Sequence, residues 1–249
     1  MILELQKSIE VEVIQGKILP IIPEWTIKTD NIIVGSYENM EQQRQLYSQT
    51  VGSGDWSTRI GSEFRFDKDN LLLRSVWVKT SEENLESNEM IEGWVNIEPV
   101  IGILRLLSSQ EFDCEINEYR WMSSDGKLLV GIDDLDLTES DDKFRLRVAK
   151  DFDLLFAEQK WCGWMLSNPA RYLAEPNTLA DSDPQLNSIA YEYISLISED
   201  NIDFLYDKEP EFLQRILNLK NKIDLNQGAI SHRKVFYNAL NEIVEDFYY

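Results

Sequence analysis

The chain has 249 residues, 43% of them hydrophobic and 28% charged, and its 45 acids against 24 bases leave a formal net charge of −21. The apolar fraction is enough for a packed core and excludes a disordered acidic tail, while the charge disfavours binding to nucleic acid or to anionic lipid headgroups. Two cysteines, Cys114 and Cys162, and a single histidine, His232, exclude a disulfide framework and a zinc constellation of ordinary spacing.

The first residues place Glu4 where a secretory signal would need a basic region, and the longest apolar-rich stretch, Val100 to Leu107, is interrupted by Gly102 and Arg105. It falls short of the ~20 residues a membrane span requires, so a cytoplasmic chain without membrane contact is expected. Tyr37 to Gln49 contains good helix formers with a ragged apolar stripe at Tyr37, Met40 and Tyr47. Glu63 to Lys79 reads as a hairpin: Phe64 and Phe66 alternate with charged residues, and Asp67-Lys68-Asp69-Asn70 forms the turn. The following run, Leu71 to Val78, is apolar on both faces, as in a central strand covered by another layer.

Asn96 to Ser108 fits either a helix with Pro99 in its first turn or a buried strand. A second hairpin is expected where Asp113 to Met122 meets Lys127 to Ile132, because Asp125-Gly126 suits a tight primed turn. Phe144, Leu146 and Val148 then alternate with Lys143, Arg145 and Arg147, and Phe152, Leu154 and Phe156 keep the same parity. Two half-buried strands with a bend or bulge near Lys150 follow from that pattern. Three of the seven prolines cluster between Ser167 and Pro184. Beyond them, Asp183-Pro184 reads as a helix N-cap and first residue, Pro210 opens a second helix, and Ser231 is placed to cap a third.

The expected architecture is therefore an α+β protein. An antiparallel β-rich body spans residues 1–168, a Pro-containing linker 169–183, and a region of about three helices 184–249, either separate or packed on the sheet as one domain. Acidity belongs to both parts, with 28 acids against 16 bases in residues 1–150 and 17 against 8 in residues 151–249.

The densest acidic stretch holds six carboxylates in ten residues: Asp133, Asp134, Asp136, Glu139, Asp141 and Asp142. It lacks the central glycine and closing glutamate of a calcium loop, which leaves a solvated loop facing Lys143, Arg145 and Arg147, or a contact surface for a protein. Neither a phosphate-cradling glycine motif nor a basic footprint for nucleic acid occurs. Cys162, within Trp161-Cys162-Gly163-Trp164, suits a packed residue better than a thiolate, and His232 beside Arg233 and Lys234 reads as an exposed side chain. No cofactor or metal is expected. The function these features favour is non-catalytic binding of a basic protein partner, such as a toxin or nuclease domain that an immunity-type protein would neutralise, with the six acids as contacts. The alternative is a hydrolase using paired carboxylates or a carboxylate-held metal, with the seven tryptophans as a source of sugar platforms. The oligomeric state stays open.

Overall fold

The computed structural model describes residues 1–35, 39–54, 61–86, 88–133, 140–173, 179–181, 183–226 and 228–249. Tyr37 of the expected first helix, Trp56 and part of the proline-containing connection lie outside them. The chain is an α+β protein with two sheets and helices concentrated toward its C-terminus.

The larger sheet begins with an antiparallel hairpin of β1 (Ile2–Gln6) and β2 (Ile9–Gln15). The second sheet is antiparallel throughout. Its strands are β3 (Glu24–Thr26), β4 (Asn31–Val34), β5 (Thr50–Gly52), β6 (Glu63–Asp67) and β7 (Leu73–Lys79), in the spatial order β3-β4-β7-β6-β5. The chain then returns to the larger sheet with β8 (Val100–Leu106), β9 (Tyr119–Met122), β10 (Leu128–Ile132), β11 (Lys143–Ala149), β12 (Phe152–Ala157) and β13 (Lys160–Ser167). The order there is β1-β2-β8-β11-β12-β13-β10-β9, with β8 and β11 parallel. One edge of β13 is shared. Its later residues pair with β10, while Lys160 at its start meets Glu4 of β1 in parallel, closing six strands into a ring.

The strand Leu73–Lys79 is central, as its two apolar faces imply. A bulge at Arg74, between the pairs Arg65↔Ser75 and Phe66↔Leu73, brings Leu73 onto the buried side with Val76 and Val78. The ambiguous segment after Asn96 is strand β8. A short helix precedes it, α2 (Glu89–Val95), whose Ile91 and Trp94 are fully buried. The other early helix, α1 (Met40–Gln49), starts at Asn39, whose side chain accepts from the Gln42 N–H. In the 123–126 turn only Gly126 has positive φ, so this is an ordinary turn ending in a left-handed glycine rather than the primed turn expected.

The expectation of two half-buried strands around Lys150 holds poorly for β12, every residue of which is buried. Phe152, Leu154 and Phe156 face the main core, whereas Leu155 and Ala157 meet Ile91 and Trp94 of α2 together with Val130, Ile132, Cys162 and Met165. A strand covered on both faces cannot be recognised from alternation, because both parities are apolar. The break near Lys150 is a hairpin turn with Asp151 at φ +59°, preceded by a register shift between Arg147 and Ala149. Close approach also explains a glycine: a Cβ at Gly131 would lie 2.4 Å from the Trp164 indole across the β10–β13 pair.

Four helices occupy the C-terminal region: α3 (Pro184–Leu196), α4 (Glu199–Tyr206), α5 (Pro210–Lys222) and α6 (Ile230–Tyr248). Asp183 caps α3 by accepting from the N–H groups of Gln185 and Leu186, and prolines open α3 and α5. The acidic α4 escapes a pattern search because only Leu205 of its eight residues is buried. The helices share one apolar cluster with both sheets. Phe236 of α6 packs edge-on against Trp25 of β3 at 6.0 Å between ring centroids and, tilted, against Tyr193 of α3 at 5.4 Å.

Candidate functional site

A chain with few cations places several of them inside. Arg65, Arg120 and Arg145 are buried; Arg120 and Arg145 donate to carbonyl groups at the C-terminal end of a helix, and Arg65 to carbonyl groups of the strand that follows one. Arg65 donates to the carbonyls of Thr50 (2.9 Å) and Gly52 (3.1 Å) in β5, the strand entered directly from α1. Arg120 donates to Ile194 (3.0 Å) and Ile197 at the end of α3, and its Nε reaches Asn84 Oδ1 at 2.8 Å. Arg145 donates to Trp94, Val95 and Ile97 at the end of α2. Those last carbonyls lack intrahelical partners and carry the negative end of the helix dipole, so a guanidinium fork satisfies several at once.

Two members of the basic stripe on β11 are taken up by a buried acid of the neighbouring strand. Asp153, 1% exposed on β12, accepts from Arg145 Nε and Arg147 Nε, both at 2.7 Å. Lys143 lies over the Trp94 ring at 5.6 Å. The stripe is the support on which α2 rests.

Of the six acids singled out in the sequence, Asp134, Asp136 and Glu139 lie outside the described residues. Asp141 and Asp142 are exposed just before β11. Asp133, by contrast, is drawn inward. Its Oδ1 accepts from the Glu118 N–H at 2.9 Å and its own N–H donates to the Cys162 carbonyl at 2.7 Å. Burial, reinforced by the Glu118 and Glu115 carboxylates and opposed by the Glu118 N–H, pushes its carboxyl up to about 7.

Asp133 stands at one end of a band of carboxylates that the sequence does not show, since its members come from four separate segments. Glu115 and Glu118 neighbour Asp133, and Ser81 Oγ donates to the Glu118 carbonyl. The strand edge of β9 is then covered by the 83–85 segment, in which Glu83 accepts from Arg120 N–H and Leu85 N–H donates to the Arg120 carbonyl, both at 2.8 Å. Glu82 in turn accepts from the N–H of Glu199, the first residue of α4. Glu82, Glu83, Glu115, Glu118, Glu199, Asp200 and Asp203 are all exposed, and among the described residues none of them forms a salt bridge. Their mutual field is visible in neighbours: Glu83 and Glu118 raise the Tyr119 hydroxyl, and burial with help from Glu82 raises Asp30 to about 6 despite Arg120. At the far end of α4 the band meets exposed aromatics, Phe204 and Tyr206. Only the joining of distant segments makes this surface, although the acid-rich Ser81 to Glu86 and Ser198 to Asp203 stretches are its sequence trace.

The nucleophile candidates are enclosed. Cys114 and Cys162 are both buried, and burial, with Asp133 nearby, pushes the Cys114 thiol far above its ordinary value. His232 is 2% exposed rather than solvated, because the first turn of α6 packs inward beside α3. Among the described residues no group of three or more His, Cys, Asp and Glu side chains is placed to hold a metal ion, and no helix is long and apolar enough to cross a membrane. The chain matches no protein-family model and no curated protein.

Proposed function

We propose that this protein is a non-catalytic binding protein whose acidic band captures a basic protein partner, in the manner of an immunity-type protein that occludes a cationic toxin or nuclease domain. The observation that carries this reading is the separation of charge. The Arg120 and Arg145 guanidinium groups are engaged beneath the surface at helix ends, while the carboxylates of the band stand together with no salt bridge among the described residues. Like charges held close are unfavourable in the isolated protein, and a cationic partner relieves that repulsion while complementary potential speeds encounter. Phe204 and Tyr206 at the end of the band have the residue types that anchor protein interfaces. Asp133 leads directly into the segment carrying Asp134, Asp136 and Glu139, and Asp141 and Asp142 follow it, so the whole acidic stretch belongs to the proposed contact.

The test compares the wild-type protein with a variant carrying Glu82→Gln, Glu83→Gln, Glu118→Gln, Glu199→Gln, Asp200→Asn and Asp203→Asn. Partners are captured at low ionic strength, and the association rate of a captured partner is then measured against salt. The expected result is a wild-type rate that falls steeply with salt and a variant rate lower by about tenfold or more at low salt. Equal, salt-independent rates for the two proteins would remove the band from the interface and the proposal with it.

A further inference from the structure

At the opposite end of α3 from the acidic band, a cavity of about 580 Å³ opens between the starts of α3 and α6. Its volume lies in the range of small-molecule sites. Its lining mixes apolar Leu179, Ala180 and Pro184 with polar Asp181, Asp183 and Arg233.

Arg233 is the unusual member. Its side chain is 2% exposed, and Nη2 donates to Asp183 Oδ2 at 2.7 Å. Its Nε and Nη1 have no hydrogen-bond partner among the described residues. Buried N–H donors of a charged group are seldom left without acceptors, because the desolvation they suffer is then uncompensated. The surroundings supply further donors. Helix α6 is 19 residues long and begins at Ala229, which brings no capping side chain to the first-turn N–H groups. Gly228, at φ +60°, lies directly against the Asp183–Arg233 ion pair: a Cβ there would sit 2.7 Å from Asp183 Oδ2 and 3.3 Å from Arg233 Nη2.

We propose that this cavity binds a small organic carboxylate, with its head group on Arg233 and the first turn of α6 and its apolar body along Leu179, Ala180 and Pro184. Asp183 already balances the charge of Arg233, and Asp181 also lines the cavity. A monoanion is therefore favoured over a phosphate dianion, which two neighbouring carboxylates and the overall net charge would repel. The site is distinct from the acidic band and does not rest on the reading of that band.

Thermal unfolding of the full chain in acetate, butyrate or inorganic phosphate, each against chloride at equal ionic strength, tests this directly. Both carboxylates are expected to raise Tm saturably by about 2–4 °C, with butyrate half-saturating at a concentration about fourfold or more below acetate, and phosphate matching chloride. Ser231→Asp is the deciding variant. An acid in the first turn of a helix is favourable, so the basal Tm is retained or raised, while the new carboxylate competes for the site and abolishes the response. Arg233→Gln is expected to lose the response together with part of the basal Tm, since Asp183 loses its partner. Absence of a saturable shift with both carboxylates, half-saturation by phosphate below acetate, or a Ser231→Asp response equal to wild type would each overturn the proposal.

Discussion

The seat of α2 and the acidic band are both dense in charge, yet they are built in opposite ways. Beneath α2, Asp153 is enclosed by Arg145 and Arg147, and Arg145 continues into three backbone carbonyls. Every charge there has a short-range partner, and a low-dielectric setting makes each partner costly to remove. Along the band, carboxylates from separate segments face water with no salt bridge among the described residues, and Asp30 and Asp133 partly beneath them are raised chiefly by burial, to which neighbouring carboxylates add. Charge in the first region holds a helix in place; charge in the second faces solvent.

The largest effect is expected at the paired site. Asp153→Ala would leave Arg145 buried without its counter-ion and should destabilise the fold by about 3–5 kcal/mol, read as a lower denaturant midpoint. A loss below about 1 kcal/mol would show that the pair is not what seats α2.

Next in size is a pH effect at the band. Asp133 and Asp30 have folded values raised to about 7 and about 6 from an ordinary 3.8, so the folded protein holds these protons more tightly than the unfolded chain. The stability they contribute is fully present below about pH 4 and is lost as pH rises through about 6 and about 7. Asp133 accounts for up to about 4 kcal/mol of that loss. Asp133→Asn keeps an oxygen for the Glu118 N–H and removes the titration. Its denaturant midpoint should change little between pH 6 and 8, where the wild-type value still falls.

Smaller again is Lys222→Ala, which breaks an ion pair with Glu192 between side chains 59% and 34% exposed. Solvent screens such a pair, and a change of about 0–1 kcal/mol is expected in the same denaturation measurement. Smallest is the effect on stability of replacing Glu82 and Glu83 by Gln: within about 0.5 kcal/mol of wild type, or slightly stabilising. A clear destabilisation would mean that those acids serve the fold instead of a partner.

Much of the helical architecture could be read locally. Asp183-Pro184 starts α3, Pro210 starts α5, and of the spacing Phe236, Leu240, Ile243 and Phe247 in α6 the first two are buried while Val244 takes the next buried place. Capping and 3.6-residue periodicity act within a few residues, so the sequence carries them openly. Ser231 misled because the backbone enters α6 two residues earlier, at Ala229, and turns His232 and Arg233 inward. The hairpin of β6 and β7 was visible for a similar reason, as alternation and a turn lie side by side.

What the chain order alone established is the α+β class, the acid excess and the helix starts, all of which depend on composition or on neighbours along the chain. Tertiary pairing decided the rest: the ring closed by Glu4 and Lys160, the two covered faces of β12, the choice of Asp153 as partner for β11, and the joining of Asp133, Glu118, Glu83, Glu82 and Glu199 into one surface. These contacts link residues far apart in sequence, where neither periodicity nor capping constrains which segment becomes the neighbour.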